Sequence, residues 1–391
     1  MKRSVFWTGA SVLVVTSISI FVEVTYGHAV DPPVPQAAQI DGGRLTIVEG
    51  VPVVHLEGTH FEIGRQHGAL LKEQIHFLHK EYGENFMFPL VGEQNIREWA
   101  ETAESFIPQK YIEEMRGIAE GSGISYEKTL QINCAIDRLQ SLFCSTVTAS
   151  GDATKDGDVI FGRNLDFAGR GILHKATVVL VMKPDGETPL LSVTWPGLIG
   201  VLSGMNGRGV AGATMMIHRF LKKPTPGTPY MILYREALAQ AHEAADVYDV
   251  LAAGKRTGPN NLMVADAAGT SYVVEFDATR IAKRPAQDGG ACGTNYFLSK
   301  ELEGVGHPVG RDRFRDLERF LEEEYGKIDV ESVRKVLQKV ARPWFVNVQS
   351  MIFLPRQRAM YISVGGRLPA AEQPFVKLNR DLLFGAWDSG K

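Results

Sequence analysis

Apolar positions recur along this chain at two different periods, and the change between them falls near residue 144. In residues 45–56, LTIVEGVPVVHL holds two short β-type runs divided by Glu49 and Gly50. Ile63, His67, Leu70, Leu71, Ile75 and Leu78 then recur at helical spacing, which predicts one amphipathic helix over 61–81. Thr59 stands where its N-cap belongs, and Glu62, three residues on, completes a capping box. Further helices are predicted over 96–105, 108–120 and 125–136, the last capped by Ser125, so residues 31–143 read as mainly helical. Beyond that point β-branched alternation predicts strands over 176–182, 190–195, 198–203 and 209–215. One long helix is expected over 229–253, with a hairpin over 261–276 turning at Asp266–Gly269. Helices over 311–324 and 330–340 and a hairpin over 350–364 close the chain. There is no internal repeat or low-complexity segment. This order fits an α+β protein in which sheets lie between helical layers.

Composition narrows the function classes. The 391 residues suffice for a full core, and 44% hydrophobic with 22% charged residues is ordinary for a globular protein. A net charge of −3 offers no clustered basic face for nucleic acid. Three cysteines do not make a disulfide framework, and their spacing lacks the closeness of zinc ligands. Cys134 and Cys292 either pair in an exported protein or are buried singly. His55, His60 and His67 suggest a metal only superficially; core or capping roles suit them better. No metal or cofactor motif is recognised, since the G-x-G spacing at 204–209 has β flanks rather than strand then helix. At the N-terminus, Lys2 and Arg3 precede an apolar run over 5–22, and Gly27-His28-Ala29 offers small residues for cleavage. Residues 1–29 therefore read as a cleaved signal peptide, with an uncleaved membrane anchor as the alternative. Either places the folded part in an exported compartment, whether periplasmic, extracellular or lumenal, with peripheral or anchored membrane association.

The candidate chemistry gathers in 141–167, SLFCSTVTASGDATKDGDVIFGRNLDF. A strand opens at Cys144, a polar turn covers 152–158, and a second strand over 159–163 runs back beside the first. That hairpin brings Arg163 and Asp166 towards Cys144. A lone cysteine at a strand start is ordinarily a small buried hydrophobe, and an Arg and Asp this close are ordinarily a weak turn ion pair. Taken together, Cys144 followed by Arg163-Asn164-Leu165-Asp166 resembles the nucleophile strand of the cysteine N-terminal-nucleophile (Ntn) hydrolases. The penicillin acyltransferase-like (peptidase C45) group is nearest in pattern, with bile-salt hydrolases and acid amidases further off. GTHFEIGRQHG at 58–68 and the G-M-N turn at 204–206 are similar to the same group, although the turn reads first as a hairpin turn.

The resemblance implies a four-layer αββα Ntn sandwich with an N-terminal helical segment. Its parts would be the signal (1–29), a helical propeptide or α-chain (30–143) and a catalytic β-chain (144–391). It also implies autocleavage between Phe143 and Cys144. The freed α-amino group, with a pKa of about 7.7–8.0, then takes the thiol proton, so that no catalytic histidine is needed. Arg163 would orient nucleophile and carbonyl, Asp166 would hold the α-amino group, and Asn295 of Gly293-Thr294-Asn295-Tyr296 would face the oxyanion. Arg313, in GRDRFRDLERF, matches an arginine near the nucleophile in bile-salt hydrolases. Asn260 and Asn261 read as a strand-entry turn that could reach the site. The expected activity is hydrolysis or transfer at a linear amide bond of an N-acylated small molecule, with no cofactor. An ester- or phospholipid-cleaving enzyme, or a silent binding protein of the same fold, are the alternatives.

Overall fold

The computed structural model describes residues 30–139, 143–218, 223–343 and 346–385; the expected signal segment lies outside the described residues, as do Ser141 and Leu142. Strands β1 (Ala38–Ile40), β2 (Gly43–Val48) and β3 (Val51–Gly58) come first. Helices α1 (His60–Leu70) and α2 (Lys72–Leu78), a π-helical run (His79–Met87) and α3 (Phe88–Val91) follow. Next are α4 (Glu93–Glu104), α5 (Gln109–Ser122) and α6 (Tyr126–Leu139). The texture then changes to β4 (Phe143–Gly151), β5 (Gly157–Asp166), β6 (Val178–Pro184), β7 (Leu190–Thr194), β8 (Ser203–Asn206) and β9 (Ala211–Met216). After α7 (Tyr230–Gln240) and α8 (Ala244–Ala253) come β10 (Asn260–Ala265), β11 (Ser271–Phe276), β12 (Ile281–Pro285) and β13 (Gly290–Gly293). The chain closes with α9 (Arg311–Glu323), α10 (Val330–Val340), β14 (Asn347–Leu354), β15 (Ala359–Val364), β16 (Val376–Leu378) and α11 (Arg380–Phe384).

The strands form a ten-stranded sheet, β1-β2-β3-β6-β7-β8-β9-β10-β11-β12, and a six-stranded one, β13-β4-β5-β14-β15-β16. They pack face to face, β4 against β9. Helices α1, α7 and α8 cover the outside of the larger sheet, and α9 and α10 that of the smaller. This is the expected αββα layering. With both faces covered, β4 to β11 are buried almost end to end, whereas β2 and the edge strand β12 alternate with exposed residues. One pair, β3 with β6, is parallel, while the other pairs of named strands are antiparallel. The six helices and the β4–β5 hairpin between these strands supply the long crossover that parallel pairing needs. Residues 30–143 thus contribute three strands to the larger sheet as well as the expected helices.

Three helix and strand expectations are corrected. The helix over 61–81 breaks at Leu71 (φ −122°), and its continuation passes into the π-helical run. The helix over 229–253 is two helices, because Glu243 and Asp246 form a capping box and Asp266 Oδ2 accepts the Ala244 N–H at 2.9 Å. Residues 198–202 are a buried loop before β8, not a strand.

The 58–68 motif explains itself physically. Thr59 and Glu62 cap α1 reciprocally, as read. Gly64 lets α1 lie against α5: a Cβ there would stand 1.9 Å from the Glu114 carbonyl oxygen. A Cβ on Gly117 would meet the Phe61 oxygen at 2.1 Å. His67 is buried, and its Nε2 accepts the Gly197 N–H at 3.0 Å. Burial pushes the His67 pKa down to about 4 from 6.5, against the raising influence of Glu114. Between those values the unfolded chain binds a proton that the folded chain refuses, so stability falls as pH drops from 6.5 to 4. The loss from this one side chain is about 3 kcal/mol. Urea midpoints at pH 7 and pH 4.5 check it: His67→Gln, which keeps an acceptor without titrating, is expected to flatten the pH slope. An unchanged slope would refute the assignment.

Candidate active site

Strand periodicity sorts the predicted residues onto two faces. In the β4–β5 hairpin Cys144 pairs with Leu165 and Thr146 with Arg163. Thr146 Oγ1 reaches Met215 of the larger sheet at 3.0 Å, so this face looks into the space between the sheets. Cys144 and Arg163 share it. Arg163 is fully buried; its Nε donates to Ser203 Oγ (3.1 Å), one terminal nitrogen donates to Asn164 O (3.1 Å) and the other has no partner. Asn164 and Asp166 take the opposite face, towards α9 and α10, where Asn164 Nδ2 donates to Leu337 O (2.8 Å). Arg163 and Asp166 therefore make no turn ion pair with each other.

Arg313 reunites the two faces. From the first turn of α9 its Nη1 donates to the Cys144 carbonyl (3.0 Å) and to Asp166 Oδ2 (3.2 Å), while Nη2 donates to Asn295 Oδ1 (3.0 Å). Flanking Arg311 and Arg315 point away and are exposed, because two positions on a helix lie on different sides. Asn295 Oδ1 also accepts the Cys144 backbone N–H at 2.7 Å, and its Nδ2 donates to Met216 O at 2.8 Å. Asn347 Nδ2 completes the cluster by donating to Asp166 Oδ1 at 2.7 Å. Burial acts against both charges of the Arg313–Asp166 pair: it pushes the carboxyl pKa up and the guanidinium pKa down, and each partner pulls the other back.

All five predicted site residues, Cys144, Arg163, Asp166, Asn295 and Arg313, are buried and gather around the end of one hairpin. Asn295 is engaged differently from the expectation. In this uncut chain its carbonyl holds the Cys144 nitrogen, and its amide, assigned above to an oxyanion, is taken by Met216 O. Asn261 does reach the site indirectly: its Nδ2 donates to Thr294 O (3.0 Å) and Tyr296 O (2.9 Å), clamping the segment that carries Asn295. Sequence reading missed Asn347, Ser203 and Met216, since a lone Asn or Ser and a backbone carbonyl carry no spacing signal. The G-M-N turn is structural: Asn206 Nδ2 donates to Leu238 O and Ala241 O (both 2.8 Å), tying β8 to the end of α7. Cys134 and Cys292 are buried and free, so they do not pair. His60 joins an ion network, and His55 Nε2 meets Leu382 O at 2.7 Å.

A family profile described as acyl-coenzyme A:6-aminopenicillanic acid acyl-transferase matches residues 153–367, a span holding Arg163, Asp166, Asn295 and Arg313 and beginning just after Cys144. An uncharacterised protein of Archaeoglobus fulgidus is 25% identical over 350 residues, covering 75% of this chain; the match spans only 58% of that relative's length. An N-acylethanolamine-hydrolyzing acid amidase of Cavia porcellus is 32% identical over 103 residues, 26% of this chain and 28% of that one. Among solved structures, a Caenorhabditis elegans ortholog of that amidase aligns with a TM-score of 0.43 and 18% identity, covering 55% of this chain and 93% of the other. The profile match takes in more than half of the sequence, and the chain belongs to the acyl-coenzyme A:6-aminopenicillanic acid acyl-transferase family.

Proposed function

We propose that this protein is an exported cysteine Ntn amidase or acyltransferase that cuts itself before Cys144 and then cleaves a linear amide in an N-acylated small molecule. The observation that carries the reading is Arg313, which grips the Cys144 carbonyl, Asp166 and Asn295 at once. In self-cleavage the Cys144 thiol adds to the Phe143 carbonyl, the peptide nitrogen leaves as the new α-amine, and water hydrolyses the thioester. Asn295 Oδ1 already holds that nitrogen. Because β3 pairs with β6, the two fragments would stay locked in one sheet rather than shed 30–143 as a propeptide. The thiol is fully buried in the uncut chain.

In turnover the α-amine takes the thiol proton and the thiolate attacks the substrate carbonyl. The tetrahedral oxyanion needs donors about 3 Å away. Asn295 Nδ2 serves once it exchanges its contact with Met216 O. The amine product leaves with the proton, and water, or a second amine, takes the acyl group from sulfur. An apolar cavity lined by Tyr82, Met87, Ile136, Phe167, Leu173 and Trp195 reaches the end of β5 through Phe167 and suits the acyl chain. Intact mass of the purified protein, together with turnover of a panel of N-acyl amides, tests the reading. The expected result is a fragment beginning at Cys144 and release of free acid from the amides. An uncut chain that also resists alkylation at Cys144 would overturn it.

A further inference from the structure

A second cavity, of about 30 Å³ and so sized for one small polar group, lies at the last turn of α6, lined by Asp137, Met216, Tyr230, Thr257, Pro259 and Asn260. It adjoins the nucleophile, because Met216 O is the acceptor for Asn295 Nδ2, and Tyr230 lies within electrostatic reach of both Cys144 and Asp137. Asp137 is 93% buried, its exposure being 7%. Its Oδ1 accepts the Tyr230 N–H at 3.3 Å, but Oδ2 has no partner among the described residues. The Tyr230 hydroxyl is likewise buried and unpartnered.

Buried carboxylates are otherwise neutralised by a cation or by several N–H donors. The carboxylate of Asp166 shows the usual solution, with Arg313 on one oxygen and Asn347 on the other. Asp137 has only one backbone N–H and the Thr257 side chain to offset its charge, and burial outweighs both, pushing its pKa up to about 7. A bare carboxylate oxygen and a bare phenol, carried by two residues that line one cavity, make a seat lacking its ligand. A primary ammonium has three N–H donors and no acceptor, matching Asp137 Oδ2, the Tyr230 oxygen and Thr257 Oγ1.

We propose that this cavity is the amine-side subsite, and that it binds a primary ammonium group carried by the amine half of the substrate. This rests on the amidase reading for its place in catalysis, though not for the binding itself. Ile136 lines the apolar cavity and Asp137 the second one, so neighbouring residues on α6 would receive the two halves of an N-acyl compound.

The test measures binding of n-propylammonium and of 1-propanol, equal in length but one cationic and the other neutral, to the purified full chain by calorimetry. The expected result is ammonium binding at least about tenfold tighter than the alcohol, lost in Asp137→Asn and weakened about threefold or more in Tyr230→Phe. Equal affinity for the two probes, or no binding of either, would overturn the proposal, as would full binding by Asp137→Asn. Should Asp137→Asn fail to fold, the wild-type preference and the Tyr230→Phe shift decide between the same outcomes. Amide turnover is read separately: ammonium binding without amide cleavage would remove the amidase reading and leave the seat established.

Discussion

Cys144→Ala is expected to abolish amide turnover, with kcat falling by at least ~10⁴-fold, the scale seen when a nucleophile that acts as part of a unit is removed. The loss has two sources. No acyl-enzyme forms without the sulfur, and the bond between Phe143 and Cys144 also stays intact, so no α-amine appears. Fold is not the cause: the side chain is small, and the contacts at this position run through its backbone, from Asn295 Oδ1 and Arg313 Nη1. The variant should therefore show an unchanged denaturation midpoint, a single uncut band and no hydrolysis. Cys144→Ser separates the two steps, because a hydroxyl is a weaker nucleophile in both. Normal turnover by either variant would eliminate the mechanism.

Glu114→Leu is expected to lower stability by about 3–5 kcal/mol, because it strands a buried guanidinium. Glu114 sits on α5 with no exposure, and both its oxygens accept from Arg235 of α7, at 2.6 and 2.7 Å. His60 of α1 meets Oε2 at 2.7 Å and reaches on to Glu187, in the turn between β6 and β7. Arg235 also donates to Ile199 O and lies over the Tyr111 ring. The network pins three helices to the larger sheet. Burial raises the Glu114 pKa, but Arg235 and His60 outweigh it and hold the carboxyl below its ordinary value. Urea unfolding of Glu114→Leu, Arg235→Met and the double variant checks the claim. The double variant should recover much of the loss, since it removes the stranded charge. A single-variant loss under about 1 kcal/mol would show that the pair is not stability-bearing.

Several features were legible in the sequence because they depend on local spacing alone. The capping box of Thr59 and Glu62, the break in pattern near residue 144, the β4–β5 hairpin and the terminal β14–β15 hairpin all follow from periods of 3.6 and 2 and from turn chemistry. Weak segments were misread for the same reason. The loop at 198–202 is apolar because it is buried, and apolarity without a period does not distinguish a strand from a loop. Strand β13, four residues long, offers too little pattern to detect, although it leads directly to Asn295.

The sequence by itself determined the hairpin, its nucleophile candidate and the residue types around it, since contacts a few positions apart are set by backbone periodicity. Only the tertiary structure decided which charge answers which. Asp166 faces Arg313 rather than Arg163, because alternate residues of a strand point to opposite sides and α9 lies on one of them. Tertiary packing likewise exposed the bare oxygen of Asp137, which in the sequence is one aspartate near the end of a helix. Burial and partnership are properties of surfaces that meet across long separations, and no local pattern encodes them.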